Sequence, residues 1–159
     1  MIKRIIPIIG LIIAAVLIAG CSDQTAATGK LATDVATVGI QVKDALRKLK
    51  ISEQVVLPIS IYNNGVASIP SQPKSDGGFK VNATYHWLKA NGELAVWDGI
   101  RTDLPSDIKR GKSIDVGLVI RAPQEPGKYL LVIDLVQEGA LWFADTGSQT
   151  ATLAYIVEK

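Results

Sequence analysis

From Glu53 onward, apolar side chains recur at every second position, and a chain patterned this way buries them only as one face of β-strands. Val55, Leu57, Ile59 and Ile61 alternate with Val56, Pro58, Ser60 and Tyr62, and the run ends at Asn63-Asn64-Gly65. Pro58 cannot donate to a ladder, so it marks an edge or a bulge there. Phe79, Val81, Ala83, Tyr85 and Trp87 alternate with Lys80, Asn82, Thr84 and His86, the clearest half-buried strand in the chain. Asn91-Gly92 suits a tight hairpin turn, because both residue types tolerate positive φ, and Leu94 to Trp97 returns from it. Ile114, Val116, Leu118 and Ile120 alternate in the next run, and Ala151, Leu153, Tyr155 and Val157 in the last. Tyr129 to Val136 is apolar on both faces except at Asp134, which predicts a central, well-covered strand.

About seven short strands separated by Gly, Pro and Asn turns predict an all-β chain, a β-sandwich of the immunoglobulin type. Ahead of them, Thr37 to Ser52 reads two ways. Val35, Val38, Val42, Ala45, Leu46 and Leu49 recur at helical spacing, while Ile40 and Val42 alternate and Gly39 is poor inside a helix. Residues 21–36 are small and polar, the composition of a flexible tether spanning roughly 20 Å. The predicted organisation is residues 1–20 as a signal segment, 21–36 as tether and 37–159 as the sandwich.

Charge locates its bias in one place. The chain carries 17 basic and 15 acidic side chains, and the first twenty residues hold Lys3 and Arg4 with no acid. The remainder is balanced and has no electrostatic footprint for nucleic acid. One Cys and one His exclude a Cys/His metal cluster within one chain. There is no Gly-rich phosphate loop, no H-E-x-x-H and no G-x-S-x-G. The expectation is a protein that is not an enzyme and needs no cofactor.

Met1-Ile2-Lys3-Arg4 is a positive n-region ahead of the apolar run Ile5 to Ala19, too short to span a bilayer as a permanent helix. Ile18-Ala19-Gly20-Cys21 resembles a bacterial lipobox. The resemblance implies a signal helix removed at Cys21, which becomes the first mature residue and carries thioether-linked diacylglycerol, with a further acyl (palmitate-type) chain on its amine. Each buried acyl CH₂ contributes ~0.8 kcal/mol, so two or three chains hold a protein on a membrane. With Ser22 rather than Asp after the Cys, the resemblance favours the outer membrane where the cell has one.

Glu125-Pro126-Gly127-Lys128-Tyr129 is placed like a tyrosine corner, with Trp87 and Leu131 as core residues beside it. Pro126 to Tyr129, Asp134 to Gly139, Trp142-Phe143 and Val56 to Gly65 together resemble the Ig-like accessory modules of bacterial surface-polysaccharide glycosyltransferases, methyltransferases and O-antigen exporters. The resemblance covers residues 37–158 and implies a strand for Thr37 to Lys43. In the exporters such a module recognises a polysaccharide terminus. The chain departs from the pattern at Val66 to Pro70, where a Trp is expected, and in its polar loop from Ser71 to Gly78.

The candidate ligand-binding residues are Trp97, Glu138, Trp142 and Phe143, because an aromatic face covers sugar C–H groups while a nearby carboxylate accepts hydroxyl protons. Each also has a plainer role: edge packing for Trp97, and a loop pinned to the sandwich by Trp142-Phe143. Asp134 is either outward-facing or buried and paired. Asp134 and Glu138 share a strand face about 13 Å apart, beyond the roughly 5–9.5 Å of a glycosidase pair. His86 is expected on a solvated face. The expected function is a lipid-anchored envelope module binding a surface glycan or an envelope protein. The alternative is a structural subunit or assembly factor docking by β-augmentation.

Overall fold

A computed structural model describes residues 37–43, 47–73 and 79–159. The signal segment, Cys21 and the tether lie outside the described residues, as does most of the polar loop after Ser71. The described chain is all β, two sheets facing each other, with one 3₁₀ turn. None of its helices is long and apolar enough to cross a membrane.

The first sheet takes β1 (Val38–Val42), β3 (Gln54–Asn63) and β7 (Ser113–Arg121) in the order β1-β3-β7, all antiparallel. The second runs β2 (Lys48–Lys50), β10 (Ala151–Glu158), β8 (Gly127–Gln137), β4 (Val81–Lys89) and β5 (Leu94–Val96), with β2 parallel to β10. Two short strands complete it: β6 (Thr102–Asp103) on β4 and β9 (Leu141–Trp142) on β8. The segment that read as either helix or strand is therefore strand at β1 and β2.

Alternation puts Leu57, Ile59 and Ile61 of β3 and Val116, Leu118 and Ile120 of β7 against Tyr85 and Trp87 of β4 and Leu131 and Ile133 of β8. Trp87 lies at the centre, fully buried, with Tyr85, Tyr129 and Tyr155 edge-on to it at 5.3–6.2 Å. Its indole Nε1 donates to the Arg121 carbonyl at 2.9 Å. Arg121 N–H donates to Tyr85 Oη at 2.9 Å, and Val119 N–H to Thr102 Oγ1 at 3.0 Å. These bonds fasten the end of β7, which among the described residues has no strand on its outer side, to the opposite sheet. Tyr129 Oη donates to the Glu125 carbonyl at 3.0 Å, the bond expected of that tyrosine.

β3 lies between β1 and β7, and Pro58 lies just past the last β1 partner, Val42↔Ile59, so its missing N–H falls at the local edge expected of it. Two expectations need correcting. Phe79 precedes β4 and is exposed. β4 is buried on both faces from Val81 to Trp87, not half-buried. Its alternation separates polar from apolar positions correctly, but the polar face is roofed as well.

Candidate functional site

The roof is built from two segments that approach the outer face of β4 and β8 from opposite sides. Asn91-Gly92 turns β4 back into β5, with Gly92 at φ 85° and its N–H bonded to the Lys89 carbonyl. Past β5 the chain bulges, and Gly99 N–H bonds the Tyr85 carbonyl at 3.0 Å before β6 pairs with β4. That contact lays residues 97–101 along the edge of β4. On the other side β8 turns at Gly139 (φ 69°) into β9, and a 3₁₀ turn (Ala144–Thr146) folds back over the strand.

Beneath the roof the outward positions of β4 are Asn82, Thr84 and His86, and Thr84 pairs in register with Asp134 of β8. His86 is 7% exposed, not on a solvated face. Its Nδ1 lies against the Trp97 carbonyl, which can only accept, so Nδ1 carries the proton. The imidazole stacks on the Trp97 indole at 4.4 Å and 21°, and meets Trp142 at 4.7 Å. The two indoles are 5.4 Å apart, inclined at 59°. Trp97 nevertheless stays 54% exposed as a residue.

Arg101 completes the arrangement. Its guanidinium lies 5.1 Å from the centre of the Trp142 ring, a cation–π distance. Nε donates to Glu138 Oε1 at 2.9 Å; Nη1 donates to Thr84 Oγ1 and the Gly99 carbonyl at 3.1 Å each, and meets Asp98 at 2.6 Å. Asn82 Nδ2 donates to the same Glu138 Oε1 at 2.8 Å. Both bonds to Glu138 thus converge on one oxygen. Among the described residues, Glu138 Oε2 and Arg101 Nη2 carry no hydrogen bond. The Glu138 side chain is 38% exposed and that of Arg101 27%, so both reach the rim of the aromatic ledge.

Asp134 is buried under the roof. Oδ1 accepts the Leu135 N–H at 2.7 Å and Oδ2 the Ala144 N–H at 3.2 Å, which anchors the 3₁₀ turn. Burial pushes its carboxyl pKa above the ordinary value, against the pull of these two N–H groups and of His86. No group of three His, Cys, Asp or Glu side chains suited to a metal ion gathers among the described residues.

The site therefore joins Trp97, Trp142 and Glu138, residues far apart in sequence. Phe143 does not belong to it: the ring is fully buried in the core. Adjacent residues at a strand end point to opposite sides, so with Trp142 on the roof Phe143 points inward. Trp87 and Tyr129 are buried core residues. Sequence reasoning missed Arg101, Asp98, Asn82 and Thr84. The available signal was an acid three residues before an Arg, directly after an exposed Trp, together with polar residues on a strand facing Asp134.

No family model matches the chain, and no curated protein does. Among solved structures, an alkylpurine DNA glycosylase of Pseudomonas fluorescens bound to DNA is similar at 11% identity and a TM-score of 0.43, over 77% of this chain and 30% of that one. A CARDB domain from Pyrococcus furiosus is similar at 16% identity and a TM-score of 0.41, over 76% of this chain and 92% of that one. A β-glucosidase of Listeria innocua is similar at 9% identity and a TM-score of 0.44, over 77% of this chain and 16% of that one.

Proposed function

We propose that this chain is a lipid-anchored, non-catalytic binding module of the bacterial cell envelope, and that it holds a surface glycan against Trp97. In this reading its sandwich is of the immunoglobulin-like type, as the Tyr129–Glu125 bond and the central Trp87 support. The lipobox-like Ile18-Ala19-Gly20-Cys21 supports an anchor at Cys21, on the outer membrane where the cell has one.

One observation carries the glycan reading. Trp97 is 54% exposed, with its indole stacked on His86 and tilted against Trp142, beside a Glu138 oxygen and an Arg101 nitrogen that carry no hydrogen bond among the described residues. A sugar ring offers just these complements: C–H groups on one face and hydroxyls at the perimeter that both donate and accept. An acid–base role fits less well. Asp134 is 1% exposed and both its oxygens accept backbone N–H groups, so it does not reach a bound sugar.

The test is retention of envelope polysaccharide by the full-length chain in detergent, comparing wild type with Trp97→Ala. Because Trp97 is exposed, the variant should keep its Tm while its affinity falls about tenfold, the loss of roughly 1.4 kcal/mol. Retention of one envelope protein, with no polysaccharide and no dependence on Trp97, would replace the glycan with an adaptor role.

A further inference from the structure

The charges around the ledge are unbalanced. Arg101 is already matched by Asp98 at 2.6 Å and Glu138 at 2.9 Å. Asp134 lies beneath the rings, and Asp145 follows the Ala144 whose N–H it holds. Lys80 and Asp103, paired at 2.8 Å, flank Asn82 on the β6 side and cancel each other. Around the ledge, five carboxylates thus meet two cations. The buried Asn82 Oδ1 adds an acceptor with no hydrogen-bond partner, beneath Glu138. That excess of carboxylates favours a cation over an anion beside Trp97, despite the guanidinium at its rim.

We infer that the ledge selects its sugar by charge, taking an amine-bearing residue ahead of a neutral one and rejecting uronic acids and phosphorylated sugars. This rests on the glycan reading of the same site. An ammonium finds Glu138 Oε2 open to it and gains from the surrounding carboxylates. A carboxylate or phosphate finds only Arg101 Nη2, on a guanidinium whose charge two acids already offset, and is repelled by the rest.

The probes are β-1,4-linked tetramers of glucosamine and N-acetylglucosamine and a tetramer of galacturonic acid, titrated against the full-length chain in detergent. Below the amine pKa, the glucosamine tetramer should bind about tenfold tighter than the N-acetylated one, and the galacturonate should not bind measurably. The margin should close toward equality at about 1 M salt, where the Debye length is roughly 3 Å. Asp98→Asn and Glu138→Gln should each narrow it, and Trp97→Ala should weaken binding of both the glucosamine and the N-acetylglucosamine tetramer about tenfold. Equal affinities, or galacturonate binding as tightly as the neutral tetramer, would overturn charge selection. If that binding still needed Trp97, the glycan reading would stand. Binding of no tetramer would overturn both.

Discussion

At the residue scale, Asp134 shows what the roof costs and what it secures. Both its oxygens are used on backbone N–H groups, and the bond to Ala144 ties the 3₁₀ turn over the Trp142 side of the ledge. Desolvation nonetheless raises its pKa above 3.8. The folded chain then keeps this proton to a higher pH than the unfolded chain, so between those two pKa values the native state binds more protons. Stability contributed by Asp134 must fall as pH climbs through that window and then level off. Asp134→Asn cannot titrate. The unfolding free energy of wild type minus that of the variant should therefore decline as pH rises above about 4 and become flat once the native carboxyl has ionised. Denaturant midpoints for both proteins across acid to neutral pH measure this difference. A difference that stays constant would mean that Asp134 titrates alike in folded and unfolded chains.

At the element scale, the ledge depends on the close approach of residues 97–101 to the edge of β4, and Gly99 is what permits it. A Cβ there would meet the Tyr85 backbone carbonyl and lie 2.8 Å from two Tyr85 ring carbons, closer than side chains pack. Tyr85 cannot yield, since its hydroxyl holds Arg121 of the opposite sheet. Gly99→Ala should therefore cost about 1–3 kcal/mol of stability, the range for overpacking. It should also weaken glycan retention more than the loss of stability alone explains, because Trp97 and Arg101 lie on the displaced segment. Unchanged Tm and retention would show that the close approach tolerates the methyl group. The same segment marks where reading the chain stops being sufficient. Period-two alternation located β3, β4, β7 and β10, because burial of one strand face is written into neighbouring residues, whereas a run apolar on both faces located β8 and the likeness to a tyrosine corner placed Tyr129, Leu131 and Trp87 in the core. It could not say that β4's polar face was covered. That cover comes from residues 97–101 and 138–146, whose approach depends on tertiary contacts and not on local period. His86 was misread for this reason. Trp97, Glu138 and Trp142 stood out by residue type, whereas Arg101 becomes meaningful only when Glu138 is brought to it.

At the scale of the whole molecule, a single ledge of one open indole face implies modest affinity for any one sugar, and the proposed anchor changes what that affinity accomplishes. A module held at a membrane meets surface polysaccharide at a fixed high local concentration, so repeated weak contacts along one polymer add up without any tighter site. Cys21 then matters to retention on a surface and not to the site itself. Cys21→Ala should leave an unprocessed precursor with no acyl label and a mass including residues 1–20. Its dissociation constant for a soluble tetramer should equal that of wild type, because the sandwich is untouched. On vesicles displaying polysaccharide, wild type should be retained strongly while the variant, purified and added at equal amount, is retained only as its monovalent affinity allows. Mass spectrometry, acyl labelling and vesicle flotation read these outcomes separately. Normal maturation and labelling of the variant would remove the lipoprotein reading. Equal flotation of an unlabelled variant on vesicles with polysaccharide, and none on vesicles without it, would show instead that the lipid contributes nothing to retention, leaving the ledge to account for all of it.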